Sequence, residues 1–152
     1  MKIKELQATV ADALNGVEEL VQGGCKAFAE DSQTVMNDIA QQLTGKAGVA
    51  ICVVTPTVTK NGIAKGGIAA GFSLSIQCSE KPEINRRQPG HMTALDAAET
   101  VALALDGEQF SFIDIRQIAD KETRTITAIA TFETTIKLSR ETKTKENKTT
   151  EE

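Results

Sequence analysis

Hydrophobic and polar residues alternate along residues 67–78, and this stretch predicts the central strand of the fold. Every second side chain is apolar or a cysteine, while those between are small or polar. The apolar set is Ile68, Ala70, Phe72, Leu74, Ile76 and Cys78. Because successive side chains of a strand point to opposite faces, one face is hydrophobic and the other polar. The hydrophobic face needs a cover, which the helical stretches on both sides of it can provide.

Two amphipathic helices are predicted in the first third of the chain. Apolar residues recur at helical spacing over residues 2–14, and the helix can resume over 17–21 before a pair of glycines. A second helix is predicted over 35–43, with Asp31 or Ser32 as its N-cap. The stretch CKAFAE between these helices fits either a short strand or the approach to the second helix.

A strand partner for 67–78 precedes it. Residues 48–58 are apolar on both parities up to Val54, which is typical of a strand buried on both faces. Pro56 cannot donate to a neighbouring strand, so pairing should weaken there. Asn-Gly within 59–62 predicts a turn. The two strands therefore form a hairpin with an extended loop at its tip.

The second half of the chain predicts a third helix followed by two further strands. Residues 79–92 form a long polar connection, and Thr93 predicts the N-cap of a third helix over 94–105. A strand near 110–118 and a longer one over 126–138 follow. The longer one exceeds the typical strand length of about 5–6 residues, so we expect its excess to project and meet a partner.

One domain is predicted. The chain has 152 residues, enough to bury a full core. We expect a single α+β domain over residues 1–138. The remaining residues, 139–152, include no large apolar side chain and are predicted to be a disordered charged tail.

The composition argues against several classes of protein. The formal net charge is −4 and the pI is about 5.1, whereas a nucleic-acid-binding protein normally presents a basic face. No apolar run approaches the roughly 20 residues that span a bilayer. The three cysteines are far apart in the sequence and odd in number, so free thiols in a reducing compartment are predicted.

No catalytic or metal-binding pattern is recognisable. His91 lies in a Pro-Gly loop without a nucleophile or acid at an informative spacing, and an exposed loop histidine is predicted. Asp96 and Glu99 share a face of the third helix without a third carboxylate, as on a solvated face. The glycines at 62–71 match no phosphate-binding loop. We therefore expect no catalytic residue, metal or cofactor.

Basic residues in the loops are candidates for contacts with a partner. Lys60 and Lys65 flank Asn61 at the tip of the first hairpin. This tip is either simply flexible or an arm that meets an acidic partner. Arg86 and Arg87 either serve solubility or pair with acidic residues of another subunit.

The order of elements resembles that of the tail terminator proteins of long-tailed bacteriophages and prophages, which are minor tail or tail-completion proteins. The chain opens with KIKELQATVADAL, places TALDAAETVALAL between two hairpins and closes with FSFIDIRQI and TITAIATFETTIKL. The segment EKPEINR is similar to a connection in some prophage proteins of this type. The resemblance covers residues 1–138. It implies the order α-α-β-β-α-β-β, with a mostly antiparallel sheet of about four strands, in two hairpins, packed against two or three helices.

This resemblance implies a structural protein of the virion tail, assembled in the bacterial cytoplasm and without catalysis. Copies form a ring, typically a hexamer, that ends the tail tube and joins it to the head. The implied partners are other copies, the tail tube protein and head connector proteins, with neither membrane nor specific nucleic acid. Residues 55–67 and 79–92 would build the ring. The interface candidates are Lys60, Asn61, Lys65, Glu80, Asn85, Arg86 and Arg87.

The sequence also departs from this family in its charged C-terminal extension and in its second helix. Two alternatives stay open. Another phage morphogenesis protein, such as a tail tube or head–tail connector subunit, would also assemble into rings. A small-ligand-binding domain or an enzyme would instead need a pocket built from the long loops.

Overall fold

The computed structural model describes residues 2–31, 34–45, 48–64 and 67–139. The helices are α1 (Ile3–Asn15), α2 (Glu18–Gln22), α3 (Val35–Thr44), α4 (Pro82–Asn85) and α5 (Ala94–Leu105). The strands are β1 (Cys25–Ala29), β2 (Val49–Val53), β3 (Thr57–Ala64), β4 (Gly67–Glu80), β5 (Ser111–Asp120) and β6 (Thr125–Ser139). The predicted α+β class is confirmed. The sheet has six strands instead of about four, because CKAFAE contains β1 and the single strand predicted over 48–58 is divided between β2 and the start of β3.

One sheet joins the strands in the order β1-β2-β4-β6-β5, and β3 also pairs with β4. The pair β1–β2 is parallel, with α3 between the two strands in sequence, and every other pairing is antiparallel. β2 and β3 lie along the same edge of β4, opposite residues 76–79 and 67–73 respectively. The break between them contains Pro56, where pairing was predicted to weaken.

The central strand has the two faces that its sequence predicts. The side chains of Ala70, Phe72, Leu74, Ile76 and Cys78 are at most 2% exposed. They belong to a continuous core with residues of α1, α2 and α5, which therefore cover this face of the sheet. We call it the helix-covered face.

The opposite face is covered near β1 and β2. Ala50 alternates with Val49 and Ile51 and so points away from the main core, yet it is only 2% exposed. The helix that packs against β1 and β2 here is α3, whose Val35 is also buried outside the main core. Farther along this second face, Ser73 and Thr135 are exposed.

The sequence predicted the N-cap residue of α5 correctly but not that of α3. Thr93 is the N-cap of α5, and its hydroxyl accepts a hydrogen bond of 3.2 Å from the backbone N–H of Asp96. For α3 the N-cap is Thr34 rather than Asp31, and Ser32 lies outside the described residues. No helix among the described residues is both long and apolar enough to cross a bilayer.

The predicted turn at 59–62 is wrong. β3 continues through this stretch to Ala64, and the register with β4 shifts between Lys60 and Gly62. A bulge inserts one extra residue into a strand, and a glycine tolerates the local distortion. Asn-Gly therefore marks a bulge inside a strand here. At the other end of the domain, β6 runs to Ser139, and the rest of the predicted disordered tail lies outside the described residues.

Candidate assembly surface

A buried carboxylate holds the connection between β4 and α5. Glu80, the last residue of β4, is completely buried. Its Oε1 accepts hydrogen bonds from Asn85 Nδ2 at 3.2 Å and Arg86 Nε at 3.1 Å. Its Oε2 accepts one from Arg86 Nη2 at 3.4 Å and another from the backbone N–H of Ala94. These donors offset the cost of burying a charge, and they bind both ends of the connection to the sheet.

Asn85 extends this network to the start of β2. Its Nδ2 also donates to the carbonyl of Met92 at 2.8 Å, and its Oδ1 lies 3.2 Å from His91 Nδ1. Gly48 sits against both side chains with φ of +117°. A Cβ at this glycine would lie 2.5 Å from Asn85 Oδ1 and 3.0 Å from His91 Nδ1. His91 was predicted to be exposed, but it is half-buried and contacts an amide rather than an acid.

The predicted interface residues differ in how far their side chains are exposed. Glu80 and Asn85 are enclosed within their own subunit, so their side chains have no surface to offer a neighbouring copy. Half of the Arg86 side chain is exposed, and its hydrogen bonds to Glu80, together with the charge of that carboxylate, raise the pKa of the guanidinium. Lys60 and Arg87 are exposed. The side chain of Asn61 and all of Lys65 lie outside the described part of the chain.

The three cysteines are free thiols, but their surroundings do not favour a role as nucleophiles. Burial, aided by the charge of Glu80, raises the pKa of Cys25 to about 12. Burial also raises the pKa of Cys52 to about 11 and that of Cys78 further. These thiols therefore stay protonated at neutral pH, and a protonated thiol is a poor nucleophile. Within the described ranges, no three His, Cys, Asp or Glu side chains are placed to hold a metal ion.

A three-stranded ribbon of β3, β4 and β6 extends past the end of β5. The β5–β6 pairing ends at Ser111 opposite Glu133, whereas the β4–β6 pairing continues to Gly67 opposite Ser139. Residues 134–139 of β6 therefore pair with β4 on one edge, and no described strand pairs with their other edge. β3 forms the opposite edge of the ribbon. The described part of the chain thus has two open strand edges here, and open edges are templates for pairing with another chain.

An open depression of about 600 Å³ lies along the ribbon and the loop before β5. Its lining is largely polar and includes Thr59, Gly71 and Thr135 from the ribbon, and two carboxylates, Glu108 and Glu133. Sequence reasoning missed both acids because they lie 25 positions apart, and only the β5–β6 pairing brings them together. The basic loop residues that were predicted to contact a partner do not indicate an acidic surface at this place.

The edge strand β5 adds exposed apolar side chains. Ile113 is 47% exposed and Ile118 is 51% exposed. Phe112 and Ile115 are half-buried, and the Phe112 ring packs edge-on against Phe132 with ring centroids 5.8 Å apart. Exposed apolar side chains on an edge strand are typical of surfaces that contact other chains.

The fold has a counterpart among assembled particles. A chain of the virion of a native gene transfer agent (GTA) particle superposes with a TM-score of 0.60, covering 88% of this chain and 95% of that one. The two chains are 17% identical, so the likeness shows a shared fold. Comparison with protein-family models gives no match, and comparison with curated proteins gives none either.

Proposed function

We propose that this protein is a structural component of a phage-like virion. The observation that carries the proposal is the likeness in fold to a chain of the GTA virion, which extends over nearly the full length of both chains. More specifically, we propose that copies of the protein form a ring on the end of the tail tube. The ring ends tube growth and joins the tail to the head, as the resemblance to tail terminator proteins implies.

The surface of the subunit is suited to assembly. A ring needs head-to-tail contacts, in which two different surfaces of each copy meet. The open edges on both sides of the ribbon and the exposed apolar residues of β5 provide such surfaces. The partners in this proposal are other copies of the chain, the tail tube protein and head connector proteins. The net charge of −4 would keep DNA from binding to the wall of a channel.

A role without catalysis agrees with the chemistry of the described side chains. The half-buried His91 contacts the amide of Asn85, and the thiols have raised pKa values. The depression along the ribbon is open and polar, unlike the largely apolar, enclosing pockets that bind small molecules. We therefore favour a structural protein over a small-ligand-binding domain or an enzyme.

Two measurements test this function. Native mass spectrometry and negative-stain electron microscopy of the purified protein should show a closed ring, expected to be a hexamer. Long tubes would instead indicate a tail tube protein, and a monomer at high concentration would refute the ring. Deleting the gene from the producing phage or prophage should give overlong tails without heads. Normal tails in that deletion strain would refute the terminating role.

A further inference from the structure

We propose that two copies of this chain pair along the outer edge of β5, with their strands antiparallel and Ile118 of each copy opposite Ile118 of the other. The ladder would run over residues 116–120 of both copies. The partner is a second copy of the chain, related by a two-fold axis perpendicular to the sheet. This contact goes beyond the proposed ring, because neighbours in a ring meet head to tail, and it does not use the edges of the ribbon.

The two outer strands of the sheet, β1 and β5, differ in whether the subunit closes their free edge. At β1, Asn15 Nδ2 donates to the carbonyl of Ala27 at 2.9 Å, and the backbone N–H of Ala27 donates to Asn15 Oδ1 at 2.8 Å. This side-chain amide takes the place of a neighbouring strand. At the other end, β5 pairs with β6 alone among the described strands. The edge at β1 is thus partly closed, whereas the edge of β5 is a template for another strand.

The second half of β5 is the part that suits a regular ladder. At its start, the backbone N–H of Phe112 donates to Asp106 Oδ1 at 3.0 Å, and the register with β6 shifts between Phe112 and Asp114. A bulge of this kind interrupts strand pairing. From residue 114 to residue 120 the register is regular. All side chains over residues 116–120 are exposed, so the described helices leave both faces of this part of the strand open.

Charge favours the register that is centred on Ile118. In this register Arg116 lies opposite Asp120 of the other copy, and the two-fold axis repeats the pair. Neither side chain forms an ion pair among the described residues. A register centred on Arg116 would bring two arginines together, and one centred on Gln117 would place Asp114 opposite Asp120. Like charges directly opposite each other in a sheet are unfavourable, whereas opposite charges stabilise the pairing.

Two other registers are less suitable for reasons of geometry. One centred on Ile115 would also pair opposite charges, Asp114 with Arg116, but it would draw the bulge at the start of β5 into the ladder. One centred on Ala119 would reach the end of β5 after only one further residue. The register centred on Ile118 pairs the charges and keeps five regular residues in the ladder.

The same register covers an exposed apolar side chain. Ile118 is 51% exposed and lies on the face of the sheet that is opposite the helix-covered face. Ile129 of β6 shares that face, and it is buried although it lies outside the main core. In the proposed pair the two copies of Ile118 lie side by side. The apolar stripe formed by Ile129 and Ile118 would therefore continue from one copy into the other.

The paired sheets leave room for the rest of each subunit. The strands β1, β2 and β3 lie on the far side of β4 and β6, away from the contact. The nearest helix is α5, which packs chiefly over β6. Three strand spacings, about 14 Å, separate the β6 strands of the two copies. Two helices of about 10–12 Å in diameter fit side by side over that distance.

Disulfide trapping with Ile118→Cys tests the pairing. In the proposed register the two Cα atoms of this residue lie about 4.5–5.5 Å apart, within the range for a disulfide. Mild oxidation should therefore give a covalent dimer that reductant reverses. The wild type, whose Cys25 and Cys78 are buried, should give none under the same conditions. Ile115→Cys should give none either, because its two copies would lie about 20 Å apart along the strands.

A mixture of two further variants checks the register while keeping Ile118. Gln117 and Ala119 lie directly opposite each other across the proposed axis, so Gln117→Cys mixed with Ala119→Cys should give covalent heterodimers. Each variant alone should give much less dimer, because its two copies lie diagonally at about 7–8 Å, at or beyond the limit of about 7 Å for a disulfide. Equal yields from the mixture and from the single variants would contradict the register.

Charge reversal in the Ile118→Cys chain tests the proposed ion pairs. Arg116→Glu places like charges opposite each other twice, so the yield of dimer should fall by about tenfold. Adding Asp120→Asn should restore part of the yield, because the amide oxygen removes the repulsion and still accepts from the backbone N–H of Glu122. Lys4→Glu makes the same change of charge at an exposed position of α1 and should leave the yield unchanged.

The outcomes separate this contact from the proposed function. Rings that form without any covalent dimer of Ile118→Cys would overturn the β5 pairing and leave the ring standing. Covalent dimers without rings would support the pairing and overturn the ring. A covalent dimer from Ile115→Cys in place of Ile118→Cys would overturn the register proposed here, and monomers throughout would overturn both proposals.

Discussion

The carboxylate of Glu80 lies 3.1 Å from Nε of Arg86, with Glu80 completely buried and half of the Arg86 side chain in solvent. Arg86 therefore lies between the buried carboxylate of Glu80 and the solvent. The same acid accepts from Asn85 and from the first residue of α5. The Glu80 side chain therefore bonds to residues along the connection from β4 to α5 and holds this connection against the sheet.

Loss of this acid should destabilise the protein strongly. Glu80→Ala leaves the buried backbone N–H of Ala94 without its acceptor and removes one of the two acceptors of Asn85 Nδ2. Leaving a buried donor unsatisfied costs about 1–3 kcal/mol. Glu83→Ala is the matched control, because the Glu83–Arg124 pair is exposed at both ends and such pairs contribute about 0–1 kcal/mol. Urea unfolding of both variants measures the difference. Equal losses of stability would contradict the anchoring role of Glu80.

A methyl group at Gly48 should disturb the same network from the other side. Gly48→Ala must accept a positive φ and displace Asn85 or His91. Gly90→Ala is the control, since this glycine also has a positive φ, of +81°, but a Cβ there meets open space. We expect backbone strain of about 1–2 kcal/mol in both variants and a clearly larger loss of unfolding free energy in Gly48→Ala. Indistinguishable thermal or urea unfolding of the two variants would mean that Asn85 and His91 rearrange around the new methyl group without loss of stability.

The two adjacent arginines should respond differently to charge reversal. Arg86→Glu places a second acid beside the buried Glu80, so its folding should suffer. Arg87→Glu changes an exposed side chain, so its unfolding free energy should stay within about 0.5 kcal/mol of the wild type. Only Arg87→Glu therefore tests the predicted interface role, through reduced ring formation in native mass spectrometry. Unchanged rings in this variant would remove Arg87 from the interface.

The buried thiols should make the protein lose stability at alkaline pH. A folded pKa of about 12 for Cys25, against an ordinary value of 9.0, means that the folded state keeps a proton which the unfolded state releases. The contribution is complete below pH 9.0 and declines as pH rises toward the folded pKa. Each such thiol gives a slope of about 1.4 kcal/mol per pH unit in this window. Urea unfolding from pH 8 to 11 should show a shallower decline in Cys25→Ala, and identical slopes would contradict the prediction.

Local patterns predicted most of the elements because their determinants are close in sequence. The alternation over 67–78 implies a strand with two unlike faces whatever lies around it, and β4 has these faces. Thr93 caps α5 through a bond to a residue three positions away. The Asn-Gly pair was ambiguous for the same reason. It allows a turn or a bulge, and only the pairing of Lys60 and Gly62 with β4 decided between them.

The candidate surface depended on contacts between distant parts of the chain. Glu80 and Asn85 look like exposed loop residues in the sequence, yet the docking of α5 against the sheet encloses them. The acidic pair Glu108 and Glu133 has no sequence signature and forms through strand pairing.

Side-chain periodicity and short motifs act within a few residues, so they were enough to specify the α+β class and the central strand with two unlike faces. Which charges are buried, and which edges of the described strands are unpaired, became evident only from the folded chain. Burial and edge pairing depend on the register and order of strands, which are set by packing between segments far apart in the chain.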